Sequence, residues 1–229
     1  MKNIEFIKEF WNDLIEDLFY SSKQGKIETK FNFKGSYTRS DEKLLEKIKV
    51  SNVPEIILDF YQYSNGCEHS WNSVQISQAE GKLYFIKIQD FMQDWKDKDL
   101  YTNDNIVENG QLKFYRPLQV VSETISCGII NNPDFTDDTM YLHHANKTEL
   151  HNLGVNFKGY LKMAGYSKFF KSWPLQLIDL KNDNLETERL KYFELIMTQI
   201  FKDFSFLEYL DNYNSLALDK PIEHNTKIH

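Results

Sequence analysis

The chain holds two cysteines and six histidines, and Gly66-Cys67-Glu68-His69 sets a thiol, a carboxylate and an imidazole side by side. Those types could bind a metal or activate a thiol. Adjacent side chains diverge, however, and the stretch follows a helix-ending Asn65-Gly66, so a solvated loop is expected. Cys127, in Ser126-Cys127-Gly128, lacks a neighbour from any characterised cysteine-protease signature and reads as a packing thiol. His143, His144 and His151 form the other imidazole group. Neighbouring residues of a strand point to opposite faces, so at most one of the first two can join His151. Zinc-ligand spacing is absent. Asp134, Asp137 and Asp138 invite a calcium reading, but a loop begun at Asp134 has Thr139 where an EF-hand needs Gly and Ala145 where it needs Glu. A turn with exposed carboxylates is the better account. Gly154 and Gly159 have the P-loop gap without the following Lys-Ser/Thr, and neither GxGxxG nor a nucleophile elbow occurs. No catalytic residue, metal or cofactor is expected.

With 34 acidic and 27 basic side chains in 229 residues, the net charge of −7 argues against direct nucleic-acid binding, which relies on Lys and Arg to neutralise phosphates. A 41% hydrophobic and 15% aromatic content with only 9 Gly and 5 Pro excludes a disordered chain. Glu5, Glu9, Asp13, Glu16 and Asp17 interrupt the N-terminal stretch, so neither a signal peptide nor a membrane span is expected, and the chain should start at Met1. Two widely separated cysteines fit a reducing, cytoplasmic setting. The charge is unevenly distributed. Residues 89–110 carry two lysines against six acids (−4), 123–149 one lysine against five acids (−4), and 150–178 four lysines and no acid (+4). If the protein binds a basic partner, the acidic central segments should face it and Lys158 to Lys171 should face away.

Ile4, Ile7, Trp11, Leu14 and Leu18 recur at helical steps, predicting an amphipathic helix over 3–20 with its acids on the other face. Alternation from Lys26 to Lys34 predicts a strand. Ser40 and Asp41 can cap a short helix carrying Leu44, Leu45 and Ile48, and Pro54 suits the first turn of another, stopped by Asn65-Gly66. Strands follow within Trp71 to Ile88, with Glu80-Gly81 as their turn. A short helix over 89–100, burying Phe91, Met92 and Trp95, and a polar loop over 101–111 come next. Further strands are read at Phe114 to Val121, Ser126 to Ile130 and Thr139 to His143. A helix from Asn156 to Gly165, a strand or connector over Leu175 to Leu180, and a long final helix from Glu186 to Phe204 complete the reading. The pattern predicts one α+β domain over 1–219 and a frayed polar tail over 220–229.

Ser40-Asp41-Glu42-Lys43-Leu44-Leu45-Glu46-Lys47-Ile48, then Val53-Pro54-Glu55-Ile56-Ile57-Leu58-Asp59-Phe60-Tyr61 and Ser64-Asn65-Gly66, resemble the opening of the SMI1/KNR4 family, or SUKH superfamily. Val53 replaces that family's usual Leu before the proline. Asn156-Phe157-Lys158-Gly159-Tyr160-Leu161 is similar to its closing helix, so the resemblance brackets residues 40–161. It implies an α+β fold with helices around a twisted, mostly antiparallel sheet, here with added N- and C-terminal helices. It also implies a non-catalytic protein-binding role. Bacterial members are commonly immunity proteins that neutralise a cognate toxin, often a nuclease; fungal members are scaffolds in cell-wall signalling. The first role makes a basic toxin domain the expected partner, with Glu68, Trp71, Asp134, Asp137 and Asp138 as candidate contacts, although Trp71 also fits a core. A regulatory or scaffold protein of the same kind is the alternative. An enzyme with a dispersed site, drawing on Cys67, His69 and His151, is the third reading.

Overall fold

The computed structural model describes residues 2–32, 41–49, 51–93, 110–134, 136–145 and 147–219. Helix α1, Lys2–Lys23, buries Ile7, Phe10, Trp11, Leu14 and Leu18, the stripe its periodicity predicts. It leads into β1, Ile27–Asn32. In α2, Glu42–Lys49, the start is held by Asp41, whose Oδ1 accepts from the Lys43 backbone N–H at 2.8 Å. Pro54 precedes α3, Glu55–Tyr63, which buries Ile56, Ile57, Phe60 and Tyr61. Of the Asn65-Gly66 stop, only Gly66 is left-handed, at φ +76°. A side chain there would lie 2.7 Å from the Phe85 carbonyl oxygen, so glycine satisfies both the backbone and the space. Asn65 acts through its side chain instead, its Oδ1 accepting from the Ile88 N–H at 2.9 Å.

The remaining elements are β2 (Cys67–Ser73), β3 (Glu80–Phe85), α4 (Ile88–Phe91), a 3₁₀ turn (Gly110–Phe114), β4 (Tyr115–Ser122), β5 (Ile125–Ile130), β6 (Thr139–His144), β7 (Leu150–Asn156), α5 (Phe157–Tyr166), α6 (Pro174–Lys181), α7 (Glu188–Ile200) and α8 (Phe206–Leu216). The seven strands form one antiparallel sheet in sequence order, so the expected α+β class holds. One face of the sheet carries Ile27, Trp71, Leu83, Phe85, Cys127 and Leu142 into a buried cluster shared with α1, α3 and α5 to α8. On the opposite face, β1 to β3 expose Glu28, Lys30, Glu68, Asn72 and Lys82 to solvent, the alternation of a half-buried sheet.

The sheet has a seam. β3 meets β4 only at its end, through Phe85 opposite Gln119 and the Ile86 N–H donating to the Leu118 carbonyl. Its first half bonds instead to the corner between α5 and α6: the Lys82 N–H donates to the Phe169 carbonyl and the Lys171 N–H to that of Glu80, each at about 2.9 Å or less. Lys168 and Phe169, in this corner, are both left-handed, at φ 49° and 46°. Trp71 fixes it, its indole N–H donating to the Lys168 carbonyl at 2.6 Å.

Several expectations are corrected. The β2–β3 connection spans 74–79, and Glu80-Gly81 lies inside β3. Gly81 is there because a methyl group would overlap the Trp71 indole, not because the chain turns. Strand β7, between the expected β6 and α5, has no counterpart in the sequence reading. Leu175 to Leu180 is helical, with Pro174 at the first position, where its missing N–H costs nothing. The final helix ends at Ile200. Ser205 starts a further helix, its Oγ accepting from the Glu208 N–H at 3.3 Å. The short helix over 89–100 is observed only as α4; Trp95, the loop over 101–109 and the tail over 220–229 lie outside the described residues.

Candidate functional site

Cys67, Glu68 and His69 are on β2, not in a loop. Strand alternation sends Cys67 and His69 into the core and Glu68 out to solvent, so the three side chains cannot converge. Burial pushes the Cys67 thiol well above its ordinary range and brings the His69 imidazole down from 6.5 to about 4, packed edge-on against Trp11. His151 is on β7, five strand positions away, or about 24 Å at the usual strand spacing, so Cys67, His69 and His151 are not assembled. Burial likewise raises the Cys127 thiol to about 12, partly offset by its hydrogen bond with Tyr160. Tyr160 in turn donates to Gln119 at 2.6 Å. These two thiols are protonated packing groups, and both cysteines are free.

The adjacent histidines separate as the strand requires. His143 faces away from α5 beside Tyr115, its Nε2 within 2.9 Å of the Lys147 carbonyl, while His144 stands edge-on to His151 with ring centres 6.0 Å apart. Burial lowers both the His143 and the His144 pKa; for His144 the nearby His151, Lys147 and Arg189 add to the effect. Among the described residues, no group of three or more His, Cys, Asp or Glu side chains is placed to hold a metal ion.

Trp71 is removed from the candidate contacts, because its side chain is fully buried between Gly81, Phe170 and Phe201. Asp134, Asp137 and Asp138 share the β5–β6 loop, and Asp134 is exposed. The Asp137 carboxylate is engaged locally, accepting from the Thr139 N–H at 2.9 Å and its hydroxyl at 2.7 Å. Asp138 is half-buried and its carboxyl pKa is raised, chiefly by burial, while its backbone carbonyl accepts from the first N–H of α5. The loop is tied to the α2–α3 connection by Thr136 donating to Asn52 at 2.6 Å and Asn131 donating to the Ser51 carbonyl at 3.2 Å. Antiparallel topology brings Glu68 to the same end of the sheet. It is on β2, three strand positions or about 14 Å from β5, so the four acids share an end without making one patch.

Among the described residues, a coherent acidic surface lies elsewhere. Glu5, Glu9, Asp13, Glu16 and Asp17 are all exposed on the outer face of α1, and the face ends in Phe19 and Tyr20, 52% and 63% exposed. Glu5, Glu9, Asp13 and Asp17 recur every fourth residue, a single row along the helix. That spacing was the available signal, and the candidate contacts read from the sequence do not include it. The basic stretch does not face away from the acids, because Lys158, Lys162 and Lys168 line the same furrow as Glu5, Glu9, Asp13 and Asp17. Lys168 pairs with Asp17, Lys171 with Glu80 at 2.6 Å, and Lys158 lies over the Phe6 ring at 4.8 Å.

No model of a known protein family matches the chain, and a search of curated proteins gives no match. No helix among the described residues is long and apolar enough to cross a membrane.

Proposed function

We propose that this protein is a non-catalytic binding module that captures a basic protein partner, and that it acts as an immunity protein of the SMI1/KNR4 kind, neutralising a toxin domain such as a nuclease. The observation that carries the binding reading is the outer face of α1, where five exposed carboxylates run up to exposed Phe19 and Tyr20. Carboxylates steer a basic partner and exclude wrong ones, while aromatic side chains supply the buried anchors that hold it. The burial of both thiols and of His69 also favours binding over chemistry at these groups, since each is spent on packing.

The test is capture of a partner from the native host, followed by expression of that partner with and without this protein. The partner alone should arrest growth, and co-expression should restore it. Replacing Phe19 and Tyr20 by Ala should weaken the complex by at least about tenfold, as expected for anchors, while leaving the thermal melt unchanged. A partner that is harmless alone, or arrest that co-expression fails to relieve, overturns the immunity reading.

A further inference from the structure

We propose that the furrow between α1 and α5 seats an amphipathic α-helix of the partner, with a basic flank against α1 and an acidic flank against α5. The inference deepens the protein-binding reading and rests on it. The furrow has a volume of about 560 Å³, within the range of ligand-sized sites. Glu5, Glu9, Asp13 and Asp17 line the α1 side, and Lys158 and Lys162 line the α5 side, with Phe6, Phe10 and Tyr166 between them. Opposite charges lining one cleft would be expected to close on each other. They do so only at its end, where Lys168 meets Asp17. Among the described residues Glu5, Glu9, Asp13 and Lys162 form no ion pair.

The closed end is rigidly set. Lys168 is left-handed and its carbonyl is held by the Trp71 indole, so its ammonium is delivered to Asp17 by the backbone. From Glu5 to Asp17 the acidic row rises about 18 Å along α1, room for about three turns of a helix laid beside it. An occupant must present an apolar side to the phenylalanines, cations to one wall and carboxylates to the other. A strand has only two faces, whereas a helix divides its surface into three. Helix-in-groove recognition of this kind places apolar anchors at steps of three and four.

The probe is a synthetic capped helix of about 14 residues, with leucines on one stripe, lysines on one flank and glutamates on the other. Two further peptides carry lysine or glutamate on both flanks. Binding to the full chain is followed by amide NMR shifts at about 0.15 M salt. The mixed peptide should bind at least about tenfold more tightly than either other peptide and shift α1 and α5 resonances. In Lys162→Glu the preference should pass to the all-lysine peptide. If the all-lysine peptide binds the native chain best, the attraction is one of net charge and the furrow proposal falls. Absence of saturable binding, shifts confined to other elements, or occupation of the furrow by a second copy, seen as a dimer by sedimentation, also overturns it. The two readings fail separately. Rescue of toxicity that survives Glu9→Lys and Lys162→Glu removes the furrow and leaves the immunity reading, while peptide binding without rescue does the reverse.

Discussion

At the scale of single residues, the buried polar and aromatic groups determine how much change the fold tolerates. Gly81 faces Trp71, and an added Cβ would overlap the indole and sit 2.9 Å from the Lys168 carbonyl. Gly81→Ala should therefore cost about 1–3 kcal/mol or more by chemical denaturation, and Trp71→Phe in the same chain should return part of it through coupling. His69 makes stability depend on pH. Its pKa falls from 6.5 to about 4 on burial, so between those values the unfolded chain binds the extra proton. Stability is full above pH 6.5 and declines as the pH falls toward 4, by about 3 kcal/mol at most. His69→Gln should flatten the stability curve in that window relative to the native chain. Equal slopes would show that the imidazole is protonated in the fold.

At the scale of elements, α5 joins the sheet to the furrow and depends on its cap. Asn156 Oδ1 accepts from the Gly159 N–H at 2.9 Å, so Asn156→Ala should lower the unfolding free energy by about 1 kcal/mol in a urea titration. Elements of this kind were the legible ones. Ile7, Trp11, Leu14 and Leu18 mark α1 because one stripe is buried and the rest is wet, and Pro54 and Gly66 bracket α3 because local backbone preference and tertiary contact agree there. Illegible elements lacked a one-sided burial pattern. α6 buries Gln176 and Asp179 along with Leu177 and Leu180, so no amphipathic period emerges. In β7 the pairing with β6 slips between Thr139 and Tyr141, and the strand buries Leu153, Gly154 and Val155 in succession instead of alternately. The break between α7 and α8 did carry a signal in Ser205-x-x-Glu208, a capping pattern. The acids of the candidate site were each visible in sequence. Which of them share a surface depends on strand order and helix docking, which spacing within one segment does not contain.

At the scale of the whole molecule, the seam between β3 and β4 leaves the first half of β3 hydrogen-bonded to the corner at 168–171 instead of to β4, while one continuous core runs beneath both sides. Because the corner belongs to both sides, the amide protection of β1 to β3 and that of β4 to β7 in the native chain should be lost at one denaturant midpoint in hydrogen exchange; two separated midpoints would mean that the sides unfold independently. The corner also sets an order of completion during synthesis. Strands β1 to β3 have left the ribosome well before residues 168–171 are made, yet the Lys82 N–H and the Glu80 carbonyl find their partners only in that later segment. The first strands of this protein to be translated must wait, with part of an edge open, for nearly ninety further residues before their hydrogen bonding is closed.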